Sequence, residues 1–148
     1  MQIKDLPDDA RARAIWDLWM EFANDHTVPD GVYTEILAQE LLATGDSGMR
    51  VLLDALEGLE PGVGVAKENL WRFGARTVPP LITMLQNGSE ERQYAALGAL
   101  WRFTLHDLAK EQVNAIREGV TPLLEHRSRS IREEARIVLE DLRTHHSD

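Results

Sequence analysis

The tetrapeptide Leu70, Trp71, Arg72, Phe73 returns 30 residues later as Leu100, Trp101, Arg102, Phe103, and this repetition constrains the fold more than any other feature. Leu52 to Gly58 (LLDALEG) matches Leu81 to Asn87 (LITMLQN) almost position for position, and Val120 to Leu124 echo Val78 to Ile82. The stretch between the matches reads as two helices laid back to back. Thr77 is placed to cap the first, with Pro79 or Pro80 in its opening turn, and Leu81, Ile82 and Leu85 give it an apolar face before Asn87 and Gly88 end it. Ser89 is a natural cap for the second, and Glu90 and Glu91 suit the positive end of its dipole. On a helical wheel Ala96, Leu97, Leu100, Trp101 and Thr104 fall on one side and Ala95, Ala99 and Arg102 on the other, so small residues allow close packing on the second face. Self-similarity at a period of roughly 30 residues is the mark of stacked helix pairs, each borrowing its neighbours' apolar surface to complete a core.

The pattern resembles that of HEAT repeats, in the broad armadillo-like family. The likeness rests on proline before a Leu-rich first helix, a short polar turn, an arginine near the start of the second helix (Arg92, Arg132), and Ala then Leu within it (Ala96 and Leu100; Ala135 and Leu139). It covers about residues 46–143. The resemblance implies an all-α fold, a right-handed α-α superhelix of about three helix pairs behind an N-terminal helical cap, about eight helices in one domain spanning 1–148. Residues 1–45 form the cap in this reading, and 144–148 a frayed tail.

Composition narrows the function. At 148 residues the chain suits a single domain with a sizeable core, and it has no cysteine, so disulfide and thiolate chemistry are excluded. The polar start, MQIKDLPDDARAR, reads as neither a signal peptide nor a membrane span, and a cytoplasmic location is expected. Net charge is −9, but residues 1–60 carry thirteen Asp or Glu against four Lys or Arg, whereas residues 61–148 carry twelve of each. An acidic first part disfavours nucleic acid and favours a protein partner with a basic surface, unless the charge serves only solubility.

Along the chain, residues 5–25 are expected to form the first helix, with Ile15, Leu18, Trp19 and Phe22 on its buried face and Trp16 off it. Two tryptophans there point either to a seal on the end of the stack or to a partner surface. A second helix is expected from about Val32 to Ala43, and a third capped by Asp46. The loop Gly58 to Val65 follows, then AKENLWRFG as a helix. The spacing then lengthens, since Leu81 and Leu123 are 42 residues apart, and an added helix capped by Asp107 and broken at Gly119 either extends the last pair or stands alone. Ser130 and Glu133 spell a capping box for the final helix, Ile131 to Leu142.

Candidate chemistry is thin. Gly45, Asp46, Ser47, Gly48 match the letters around a serine-protease nucleophile, but they lie between helices, with no base or oxyanion hole implied. Gly62 and Gly64 before Lys67 hint at a phosphate loop without a preceding strand or full spacing, so a flexible turn is the better reading. The five histidines lack i, i+4 partners, so no metal or cofactor is expected, and no catalytic set emerges. Arg72 and Arg102 occupy matching places, so stacking sets them on the inner helices of the concave surface, answered by Glu68 or by a partner's anion. Arg127, Arg129, Arg132 and Arg136 form a second basic group interleaved with acids. The expected function is therefore non-catalytic: binding a protein or peptide through Arg72, Arg102, Glu68 and Trp16, in a narrower form as an inhibitor or immunity-type protein. Nucleic-acid binding through the C-terminal arginines is the alternative.

Overall fold

The chain was analysed as a computed structural model that describes residues 2–25 and 27–146, and these contain helices and no strand. After a 3₁₀ turn at Ile3–Asp5 come α1 (Asp8–Asn24), α2 (Asp30–Leu42), α3 (Asp46–Ala55) and α4 (Gly62–Asn69). A 3₁₀ segment, Leu70–Thr77, leads into α5 (Val78–Asn87) and α6 (Glu90–Thr104); α7 (Lys110–Val120), a 3₁₀ turn at Thr121–Glu125 and α8 (Arg129–His145) complete the order. Helices α4, α6 and α8 pack in a row, α5 and α7 form a second row against it, and α1 lies against α2 and α3. No described helix is long and apolar enough to cross a membrane.

The amphipathic pattern explains the layering. In α6, Ala95, Ala96, Leu97, Ala99, Leu100 and Phe103 are all buried, so the helix is enclosed on both the faces that its wheel marks as apolar or small. It packs against α4, α5 and α8 together. Burial of a leucine such as Leu97 or Leu100 contributes about 2–3 kcal/mol, so this helix supplies much of the core's stability. The close approach to α4 needs Gly98, where a Cβ would run into the Lys67 stem.

The two LWRF copies bury the same residues in different local structure. Leu70 and Leu100 are fully buried, Phe73 and Phe103 nearly so, and the Trp and Arg of each copy are half-buried. Yet Leu100 to Phe103 lie in α6, whereas Leu70 to Phe73 lie in the 3₁₀ segment. Asn69 supplies the reason: its side-chain amide donates to the Val65 carbonyl at 2.8 Å, taking an acceptor at the end of α4. The chain then turns at Gly74, with φ 77°, and enters α5 four residues on.

Several sequence expectations are corrected at helix ends. Thr77 has helical backbone angles and its hydroxyl donates to the Gly74 carbonyl instead of capping α5. Asp46 does not cap α3, because its carboxylate is taken by Arg76 at 2.8 Å. Helix α7 starts at Lys110, with Ala109 rather than Asp107 at its N-cap, and runs through Gly119, whose missing Cβ makes room for Ile82. The last helix is capped by Ser128, not Ser130, and Glu133 is drawn off to Arg129. It also continues through Thr144 and His145, beyond the expected end at Leu142, and the His146 ring meets the Thr104 carbonyl at 2.9 Å. Ser89 caps α6 as the sequence suggests, accepting from the Arg92 N–H.

Two glycines separate backbone need from mere tolerance. Gly74→Ala is expected to cost about 1–2 kcal/mol because an L side chain resists that backbone region. Gly31→Ala, in open space within α2, is expected to be neutral or to add up to about 1 kcal/mol. Urea unfolding of both variants checks the contrast, and equal effects would contradict it.

Candidate functional site

Of the residues singled out by sequence, Glu68 lies on α4, Arg102 on α6 and Arg72 in the 3₁₀ segment that follows α4, whereas Trp16 lies on α1. Arg72, only 16% exposed in its side chain, donates through both terminal nitrogens to Glu35 on α2, at 3.2 and 3.0 Å. Its Nε donates to Asn69 at 2.8 Å, and the guanidinium lies 5.0 Å from the centre of the Trp71 ring. Trp71 in turn donates to the Glu68 carbonyl and stacks on His106, with ring centres 3.9 Å apart.

One unit later the arrangement is rebuilt. Arg102 pairs with Glu68 at 3.5 Å and sits 4.6 Å from the Trp101 ring centre. The Trp101 indole N–H donates to the Asp141 carboxylate on α8. Each assembly thus runs from an acid of the preceding unit through Arg and Trp to a group of the following one: Glu35, Arg72, Trp71, His106, then Glu68, Arg102, Trp101, Asp141. Arg72 and Arg102 are answered within the chain, a possibility the sequence left open; Glu35 and His106 were missed. Their signal was a spacing of 35 to 37 residues from the Arg and Trp concerned.

Trp16 is placed differently from expectation. It is buried, stands 6.1 Å from Trp19 centre to centre, and abuts Gly62 at the start of α4. The spacing of Ile15, Leu18, Trp19 and Phe22 sets it off the buried face, since a periodic pattern within α1 marks one face only. In fact α4 begins against that side, so Trp16 is corrected from a surface candidate to part of the core.

Six long-range ion pairs among the described residues share one direction. Asp9–Arg50, Glu35–Arg72, Asp46–Arg76, Glu57–Arg92, Glu68–Arg102 and Glu90–Arg127 each place the acid earlier and the arginine 30 to 41 residues later. Four of those acids lie in residues 1–60, so part of the lopsided charge is matched by arginines contributed from farther along. Near the C-terminus, Arg129 and Arg136 pair locally with Glu133 and Glu140, and Arg132 donates to the carbonyls of His126 and Arg127. The basic group there is largely committed to its own surroundings.

A cleft of about 490 Å³ opens where the first turns of α4, α6 and α8 converge. Val63, Ala95 and Ile131 contribute apolar walls, Tyr94 stands half in solvent, and Glu60, Glu90 and Glu91 line the cleft with Lys67, Glu90 being held by Arg127 at 3.1 Å. Glu60 accepts from the Gly64 N–H at 3.1 Å, so the glycines read as a flexible turn instead begin a helix whose free amide is met by the chain's own carboxylate. Beside the cleft the Gln93 amide donates to the Leu85 carbonyl, which directs its oxygen at His126 Nε2, 3.0 Å away. The Ser128 N–H donates to His126 Nδ1 at 2.9 Å, so both ring nitrogens have partners.

The protease-like tetrapeptide has another role. Gly45 takes φ 66°, Ser47 is buried, and its hydroxyl donates to Asp9 on α1. That bond, with Arg50 nearby, holds the Asp9 carboxyl below the usual range. Glu35 is held below its ordinary value by the hydrogen bonds from Arg72, then Gln39. Among the described residues no group of three or more His, Asp or Glu could hold a metal ion. Compared with known protein families, curated proteins and solved structures, the chain gives no match.

These pairs make stability pH-dependent in a defined direction. Because Glu35 is lowered in the folded chain, the unfolded chain takes up its proton first as pH falls. The contribution is whole above the ordinary carboxyl value near 4.5 and fades as pH drops through it toward the lowered one. Glu35→Gln should flatten that part of the acid limb in pH-dependent melting, with Arg72→Ala doing the same. Arg72→Ala should also cost about 1–3 kcal/mol at neutral pH, against about 0–1 for the more exposed Arg102→Ala. An unchanged acid limb would remove the Glu35 assignment.

Proposed function

We propose that the chain is a HEAT-like α-solenoid acting as a non-catalytic interaction module, with the α4–α6–α8 row as its gripping face. The layered rows and the contacts between residues about one unit apart support this reading. The partner is a protein or peptide presenting a basic segment, and an inhibitor that covers a basic protein is the narrower form.

The observation that carries the proposal is the contrast within one row. At one end, Arg72 and Arg102 are neutralised by Glu35 and Glu68. At the other, the cleft sets the exposed Glu91 beside Glu60, the partly exposed ring of Tyr94 and Glu90, whose one partner is the exposed Arg127. A lysine or arginine stem can lie along Tyr94 while its charge meets these carboxylates, and the apolar walls admit an adjacent aliphatic side chain. Contact therefore moves along the row from the arginines to the acidic cleft. Internal pairing of Arg127, Arg129, Arg132 and Arg136 leaves the nucleic-acid alternative without a specific support.

A fluorescent lysine-rich decapeptide with two leucines is a direct probe. Anisotropy should show binding at low salt that weakens as salt rises. Glu90→Gln with Glu91→Gln, and separately Tyr94→Ala, should each weaken it by roughly tenfold while melting changes little. Absence of binding at low salt, or binding indifferent to both variants, would refute the cleft as the gripping site.

A further inference from the structure

Helix α2 is apolar on two sides, yet only one is covered. Tyr33, Leu37, Ala38 and Leu41 face the core, whereas Val32 and Ile36, one turn apart on the other side, are 64% and 63% exposed. Branched apolar residues one turn apart on an exposed helix face are ordinarily covered, and a repeat at the end of a stack ordinarily turns a polar face outward. The helix carries Glu35 and Glu40 and no lysine or arginine.

At the far end of the molecule, α8 and the turn before it frame a groove of about 280 Å³ between Leu124, Leu139, Arg136, Glu140 and Arg143. Arg136 is answered by Glu140, but Arg143 has no carboxylate at ion-pair distance among the described residues. This end offers leucine surface and an unmatched cation.

We propose that the two surfaces fit each other between copies: the α2 face of one chain seats on the α8 groove of a second. Val32 and Ile36 enter between Leu124 and Leu139, and Glu40 meets Arg143. Pairing α2 with a second α2 would set Glu40 against its own kind with no cation on the helix to relieve it, Glu35 being held by Arg72, so charge selects the unlike pair of surfaces. A contact between unlike surfaces does not close at two members, and growth continues into rings or open rows.

Sedimentation over a wide concentration range reads this directly. The weight-average mass should rise past that of a dimer, and added salt should lower it. Ile36→Glu, at an exposed position that leaves the core intact, should return the chain to a monomer with unchanged melting. Arg143→Glu should weaken association, and adding Glu40→Arg to it should restore association. A monomer at every concentration overturns the proposal. So does a plateau at the dimer mass that Arg143→Glu leaves unaltered, which would mean α2 pairs with α2, or association that survives Ile36→Glu.

Discussion

Enclosure of α6 on both its apolar and its small-residue face is the condition on which the rest of the structure depends. No helix pair here can bury its own surface: Leu97, Leu100 and Phe103 need α5 on one side and α8 on another, while Ala95 and Gly98 let α4 come close. Hydrophobic burial of this kind is strong but non-directional. It says that the helices must be stacked, and leaves open by how much each is shifted along its neighbour.

The shift is set by polar groups of longer reach. Arg72 with Glu35, Arg102 with Glu68, and Trp101 with Asp141 each join elements 34 to 40 residues apart, and each has a geometry that a slip of one residue would destroy. Exposed pairs contribute about 0–1 kcal/mol apiece, so their consequence is registry more than stability. The uniform order, acid first and arginine later, gives the stack a polarity that shows up in the sequence as an acidic first part. The proposed function rests on what this pairing uses up. The arginines that look available in the sequence are spent holding the row together, and the open acidic cleft lies elsewhere on the same row.

What the sequence reveals and hides follows from the range of each interaction. Helical periodicity depends on local spacing, and Leu70 and Leu100 are buried as their positions suggest, while the burial of Phe73 and Phe103 emerges only from the packing around them. The Ser89 cap is equally local. Asp46 lies one residue inside α3, with Gly45 at the N-cap, and its carboxylate meets Arg76, while Thr77 already has helical backbone angles and its hydroxyl donates to the Gly74 carbonyl. Trp16 was misplaced because α4 approaches from a direction that no pattern within α1 encodes. The cleft is assembled from three separate stretches, 56–67, 90–95 and 128–131, so no local pattern brings its acids and its apolar walls together. Its Glu60 stood in what reads as a loop.

Residues about one unit apart in the chain, such as Glu35 with Arg72 and Glu68 with Arg102, are partners in space. Double-mutant cycles on stability test it most directly, using Glu35→Ala with Arg72→Ala and Glu68→Ala with Arg102→Ala, and the crossed combination Glu35→Ala with Arg102→Ala as control. The account requires measurable coupling, on the order of 0.5–1 kcal/mol, within each matched pair and none in the crossed one. Coupling in the crossed pair, or strict additivity in both matched pairs, would contradict it.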